Sequence, residues 1–225
     1  MPAVCRVVAV LLVMVSAAWA QRPPGPPGPY VFDVRGVVIG LPTSPSFYPA
    51  LRANAIVPAR AFGVDVGGHL LFASLGPARL GAGVNLLLTR GTSLDAVASL
   101  RVVAPQASVN FGHANGWSYL SAGIGRGRLH GRLASGATGA ATLGGSASGS
   151  SGVAAGETGL VRNEDVRAGM GVWNVGGGAR WYRSRRMAVG FDIRFHKLGQ
   201  GTVEGTQQVT PGSTAVAVSA GVSLR

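Results

Sequence analysis

Residues 174–198, NVGGGARWYRSRRMAVGFDIRFHKL, read as two strands joined by a tight turn. From Met187 onward the residues alternate. Met187, Val189, Phe191, Ile193 and Phe195 fall on one face, and Gly190, Asp192, Arg194 and His196 fall on the other. Strict period-two alternation marks a strand between two different environments. Before the turn, Val175, Ala179 and Trp181 alternate with Asn174, Arg180 and Tyr182. The bulky apolar groups share one face, and the other mixes charge with glycine. A water-soluble sandwich buries its bulky groups and exposes its charges. The reverse, apolar out with charge and glycine in, is what a barrel seated in lipid requires.

The pattern repeats on both sides of this hairpin. Ser213–Leu224 sets Val216, Val218, Ala220, Val222 and Leu224 against Ala217, Ser219, Gly221 and Ser223. Residues 117–127 set Leu120, Ala122 and Ile124 against Tyr119, Ser121, Gly123 and Gly125. Residues 100–112 set Val103, Ala107, Val109 and Phe111 against Gln106, Ser108 and Asn110. Residues 78–89, 62–73 and Tyr30–Gly40 complete the series, with Arg79, Asn85, Asp65, His69, Asp33 and Arg35 on the polar faces. Segments of this length suit tilted strands crossing a bilayer. Connections near Gly76-Pro77, 113–116 and 183–186 are short, whereas 42–61, 91–99, 129–167 and 199–212 are long. The pattern predicts an all-β fold: an eight-stranded antiparallel up-and-down transmembrane barrel with short periplasmic turns and long extracellular loops. Tyr30, Phe32, Phe72, Phe111, Trp117, Tyr119, Trp181 and Tyr182 all lie near a short turn or the barrel start, where an interfacial aromatic girdle is expected.

The chain has 225 residues, enough for one domain of ordinary size. Its net charge of +12 is nearly all arginine, and Lys197 is the one lysine. Basic residues recur singly along apolar segments, without the clustering of a nucleic-acid footprint. Residues 1–20 read as a signal peptide. Arg6 supplies the positive start, 7–15 the short apolar core and Ala18-Trp19-Ala20 the cleavage site. Cleavage after Ala20 would remove the single cysteine, Cys5, and with it any disulfide or cysteine-based metal site. Residues 21–29 form a Pro/Gly-rich spacer, leaving 30–225 for the barrel. Within it, 134–156 is Gly/Ala/Ser-rich and predicted to be a disordered extracellular loop.

The Gly-rich strand YLSAGIGRG (119–127), NVGGGARWY with its short turn, and AVGFDIRFHKL together carry a family resemblance. From Tyr30 onward the chain resembles the OmpA-like, porin-family eight-stranded barrels of Gram-negative cell envelopes. The resemblance implies export to the bacterial outer membrane, delivery by the barrel assembly machinery, contact with outer-membrane lipid and lipopolysaccharide, and a monomer. Such barrels often end in an aromatic residue, whereas this chain ends Ser223-Leu224-Arg225, an atypical assembly signal. No peptidoglycan-binding domain follows, so no wall-anchoring role is expected.

The polar faces would converge in the lumen. They bring Asp33, Asp65 and Asp192 together with Arg35, Arg79, Arg180, Arg194, His69 and His196. An eight-stranded interior is just wide enough to be filled by side chains, and buried charges must pair. A salt-bridged plug is therefore expected, with a narrow gated pore as the alternative. The four histidines show no His-x-His or His-x-x-His spacing, so neither a metal nor another cofactor is expected. The tripeptides HLL, HAN, HGR and HKL do not supply the His-x-Ser of barrel enzymes acting on lipid A. GIGRG (123–127) is not followed by a helix and is no nucleotide loop. The leading reading is a non-enzymatic barrel contributing to envelope integrity or surface contact. The alternatives are a lipid A-modifying enzyme with a loop-built site at His130 and Glu157, and a soluble lipocalin-like barrel. Arg60, Arg90, Arg101, Arg126, Arg128, Arg132, Arg162 and Arg167 gather at the predicted outer rim. Guanidinium groups bind phosphates bidentately, so this rim reads either as a lipopolysaccharide contact or as solvated charge.

Overall fold

The computed structural model of the chain describes residues 28–48, 51, 55–113, 115–134, 167–184, 186–203 and 209–225. The predicted signal peptide, most of the spacer and segment 135–156 lie outside the described residues. The strands are β1 (Tyr30–Gly40), β2 (Arg60–Leu75), β3 (Ala78–Thr92), β4 (Ala96–His113), β5 (Gly116–Leu133), β6 (Arg167–Tyr182), β7 (Met187–Val203), β8 (Val209–Thr210) and β9 (Ser213–Leu224). From β1 to β7 each strand pairs antiparallel with the next. β9 pairs with both β7 and β1 and closes the ring. Eight strands form the wall. β8 only folds back onto Gly201 and Thr202 of β7. The fold is the predicted up-and-down barrel. At the first tight turn Leu75 pairs with Ala78 across Gly76-Pro77, where a positive φ at Gly76 precedes proline's fixed φ, as a two-residue hairpin turn needs.

The strands run further than the sequence predicts at the end bearing the long loops. The connection expected over 91–99 shrinks to three residues, because β3 continues to Thr92 and β4 begins at Ala96. The physical reason is local: Ser93 N–H donates to the Ala96 carbonyl at 2.8 Å and Ala96 N–H to Ser93 Oγ at 3.1 Å. Likewise β5 continues to Leu133 and β7 to Val203, inside the loops expected over 129–167 and 199–212.

These extensions change the character of the wall. On β4 the outward residues Phe111, Val109, Ala107 and Val103 give way to Arg101 and Ser99. Its inward residues change the other way, from Asn110, Ser108 and Gln106 to Val102, Leu100 and Ala98. β5 repeats the switch: outward Leu120, Ala122 and Ile124 precede Arg126, Arg128 and Arg132, while inward Tyr119 and Ser121 precede Leu129. Both strands are thus membrane-like near the short turns and follow soluble-protein alternation near the long loops. The inner apolar layer is continuous around the barrel, from Val37 and Ile39 through Leu87, Leu100, Val102 and Leu129 to Met170, Val172 and Leu198.

The described parts of the β1–β2 connection, 41–48, 51 and 55–59, close over this layer. Leu41, Tyr48 and Val57 are buried against it, and Tyr48 donates its hydroxyl to the Pro42 carbonyl at 3.0 Å. Burial pushes the Tyr48 phenol above its ordinary pKa and keeps that donor protonated. Its ring fits because Gly131 of β5 faces it; a Cβ there would lie 2.7 Å from Tyr48 Cδ1. The β3–β4 turn clamps the same connection. Ile56 N–H donates to Asp95 Oδ2 at 2.9 Å, and Ser93 Oγ donates to the Ile56 carbonyl at 2.5 Å. Asp95→Ala should therefore loosen the 42–59 segment at a cost of about 1 kcal/mol, the scale of one partly exposed hydrogen bond. Limited proteolysis of the folded barrel should cut this segment several-fold faster than in the wild type. An unchanged cutting rate would remove the clamp from consideration.

Candidate functional site

Two groups of polar residues stand out, one inside the barrel and one outside. Inside, the half nearer the short turns holds a connected ionic network. Arg180 of β6 grips Asp33 of β1 with two bonds, Nε to Oδ1 at 2.9 Å and Nη2 to Oδ2 at 2.6 Å. Arg35 lies 2.8 Å from the same carboxylate and 3.5 Å from that of Asp65. Ser223 of β9 also donates to Asp33, and Asn85 of β3 donates to Asp65. Asp33 is thus the point where guanidinium groups from two strands and a hydroxyl from a third converge.

A second cluster sits on Asp192 of β7. Arg194 donates to it through Nε at 3.2 Å and Nη2 at 3.0 Å, and Tyr119 donates its hydroxyl at 2.7 Å. Arg194 also reaches Asn174 Oδ1 and Ser121 Oγ, both at 2.8 Å. Gln106 of β4 extends this cluster by donating to Asn174 Oδ1 at 3.1 Å. Tyr119 joins the clusters: the Arg180 guanidinium lies 3.9 Å and that of Arg35 5.7 Å from its ring centroid. Three buried carboxylates, Asp33, Asp65 and Asp192, face three buried guanidinium groups, Arg35, Arg180 and Arg194. The charges balance, which is the condition for burying them at all.

His69 and His196 are buried within the same half. Arg79 is half-buried toward the short-turn mouth, where Nη2 approaches the Leu71 carbonyl at 3.5 Å. Among the described residues no group of three or more His, Cys, Asp or Glu converges as a metal site would.

Outside, Arg60, Arg90, Arg101, Arg126, Arg128 and Arg132 all point away from the lumen and are exposed. On β2, β3, β4, β5 and β7 the first polar outward residue beyond the apolar run is a cation: Arg60, Arg90, Arg101, Arg126 and Lys197. These residues form a collar at one height. It is densest on β3–β5, where Arg90, Arg101, His130 and Arg132 line a groove of about 570 Å³ with Phe62, Val64, Leu88 and Val97. Arg167 opens β6, and Arg162 lies outside the described residues.

No family model matches the chain, and no curated protein sequence matches it. Among solved structures, Neisserial surface protein A aligns over 88% of this chain and 97% of its own, with a TM-score of 0.53 at 10% identity. The chain has the fold of the OmpA-like barrels. Ail, the attachment invasion locus protein of Yersinia pestis, aligns over 87% of this chain and 95% of its own at 10% identity, with a TM-score of 0.44. The N-terminal barrel domain of Pseudomonas aeruginosa OprF covers 87% and 96% at 12% identity, with a TM-score of 0.38.

In this barrel the aromatic girdle is smaller than predicted. Tyr30, Phe32, Phe72, Phe111 and Trp181 are exposed on the wall. Trp117 and Tyr119 instead point inward and are 2% and 3% exposed. Their odd positions on β5 share a face with Ser121, so the strand's own alternation assigns them to the lumen. Tyr182 is also partly buried and packs against Trp117 in a tilted pair, ring centroids 5.0 Å apart. The inner apolar layer departs from the expectation of a lumen filled by charged side chains alone. Its signal is the run of three apolar residues at Val37-Val38-Ile39, Leu86-Leu87-Leu88 and Val102-Val103-Ala104, where neither face is polar.

Proposed function

We propose that the chain is a non-enzymatic outer-membrane barrel with a sealed lumen, contributing to envelope integrity or to surface contact. The long-loop end would face outward and the short turns the periplasm. The observation that carries this reading is the filling of the interior. A balanced ionic network occupies one half and a continuous apolar layer, covered by Tyr48, occupies the other. An ion entering from the outer mouth would shed its water against Val37, Leu87, Leu100 and Leu129, a transfer that costs many kcal/mol without compensating partners. The apolar outward band, Met187 to Phe195 on β7 and Leu224 to Val216 on β9, supports a lipid surround.

In a planar bilayer the reconstituted protein should show no steady conductance at moderate voltage. A sustained large pore would sink the sealed-lumen reading. In cells the protein should fractionate with the outer membrane and change gel mobility on boiling. Lipid A mass spectra should be the same with and without the gene; a change in acylation or phosphorylation would put an enzyme in its place.

A further inference from the structure

The collar on β3–β5 poses an electrostatic problem that the barrel does not solve with its own described residues. Arg101 of β4 and Arg128 of β5 are direct cross-strand partners, and both point outward. Directly opposed like charges in an antiparallel pair are destabilising. Arg126 stands diagonal to Arg101, Arg90 lies on the next strand opposite Ser99, and Arg132 faces Val97. Among the described residues the carboxylate side chains are Asp33, Asp65 and Asp192 in the lumen and Asp95 at the β3–β4 turn. None of them is ion-paired with Arg90, Arg101, Arg126, Arg128 or Arg132.

The groove beneath these arginines is amphiphilic. Phe62, Val64 and Leu88 line its lower side and Arg90, Arg101 and Arg132 its upper side. Beside it, Gly171 and Gly169 of β6 pair with Arg126 and Arg128, and a Cβ on either glycine would meet nothing within 4 Å. The surface there is an open shelf flanked by guanidinium groups. Its ligand must carry anionic oxygens at the height of the collar and hydrocarbon immediately below. Guanidinium groups spread over three strands, about 10 Å across, ask for more than one phosphate.

We propose that the outer wall from β2 to β5 is a binding site for a bisphosphorylated membrane glycolipid, lipid A of the outer leaflet. Its phosphates bridge Arg90, Arg101, Arg128 and Arg132, and one acyl chain lies along Phe62, Val64 and Leu88. This site rests on the proposed orientation of the barrel in the outer membrane.

The test uses the full barrel refolded in neutral micelles, with heat-modifiable migration confirmed for every variant. Native mass spectrometry is run with bisphosphorylated lipid A, dephosphorylated lipid A, phosphatidylglycerol and inorganic phosphate. The bisphosphorylated form should bind at least tenfold more tightly than each of the others. Arg101→Gln with Arg128→Gln and Arg132→Gln should lose at least tenfold, while Arg183→Gln with Arg186→Gln, at a short turn, should lose nothing. Arg101→Gln alone provides a second readout. Without lipid A it should raise the denaturation midpoint by relieving the like-charge pair, and with lipid A it should lower it. Equal binding of phosphorylated and dephosphorylated lipid A, equal binding of phosphatidylglycerol or free phosphate, or equal loss in the short-turn variant would each overturn the site. If the wild type is a heat-modifiable, non-conducting barrel and any of these results appears, the site alone falls. If it forms no such barrel, the proposed function falls with it.

Discussion

Asp33→Ala should lower the unfolding free energy of the barrel by about 3–5 kcal/mol, the cost of breaking a buried ion pair from one side. The magnitude follows from what converges there. Arg180 holds both carboxylate oxygens and is 1% exposed, so it has no route to water once they are removed. Of its two carboxylate contacts Arg35 keeps the longer one, 3.5 Å to Asp65, and the Ser223 hydroxyl loses its acceptor. The measurement is the denaturant midpoint of the refolded protein. Asp33→Leu combined with Arg180→Met should recover much of the loss, because replacing both partners by apolar groups removes the stranded charge. If the single variant unfolds at the wild-type midpoint, the lumen is wet enough to solvate Arg180 and the network contributes little.

Val189→Arg should cost about 2 kcal/mol and impair insertion, as expected of arginine on the lipid face inside the apolar band, between the midplane maximum and the interface. Val189 is exposed and lies within the apolar run from Met187 to Phe195. Thr214→Arg offers the contrast. Thr214 is also outward on β9 but pairs with Lys197, at the collar. There the same side chain should cost less than about 1 kcal/mol, since the penalty fades toward the interface. Folding yield into lipid vesicles reads both. Equal yields for the two variants would mean that no lipid boundary lies between them.

These two variants also mark how far the alternation was readable. Around Asp33, Asp192 and Val189 a single period-two pattern holds, so the strands, the barrel and all three lumen carboxylates follow from the residues. The reading fails where the faces exchange polarity. Val37-Val38-Ile39 and Leu86-Leu87-Leu88 satisfy either assignment, because both faces are apolar at the crossing. Beyond it, Leu100 and Leu129 alternate as in a soluble core, which makes those segments resemble loop ends when a lipid pattern is being followed. Pairings such as Asp33 with Arg180, 147 residues apart, depend on ring closure between β9 and β1 and have no local signal. Tyr119 shares the polar face with Ser121 in the alternation itself, so nearness to a turn does not put it, or Trp117 two residues earlier, in the girdle.

The outward apolar run has nearly the same extent on β1, β3, β6, β7 and β9, from Tyr30 to Val38, Leu80 to Leu88, Trp181 to Trp173, Met187 to Phe195 and Leu224 to Val216. About nine residues rise about 30 Å along a strand, or about 23 Å vertically at a tilt near 40°. An average hydrocarbon layer is nearer 30 Å. The collar blocks any slide that would lengthen contact on one side, and the ring of paired strands cannot stretch. The barrel is therefore a rigid gauge of bilayer thickness. In vesicles of graded acyl length it should insert best where the hydrocarbon is thin and lose yield as the chains lengthen, because each added ångström must be met by compressing the surrounding lipid.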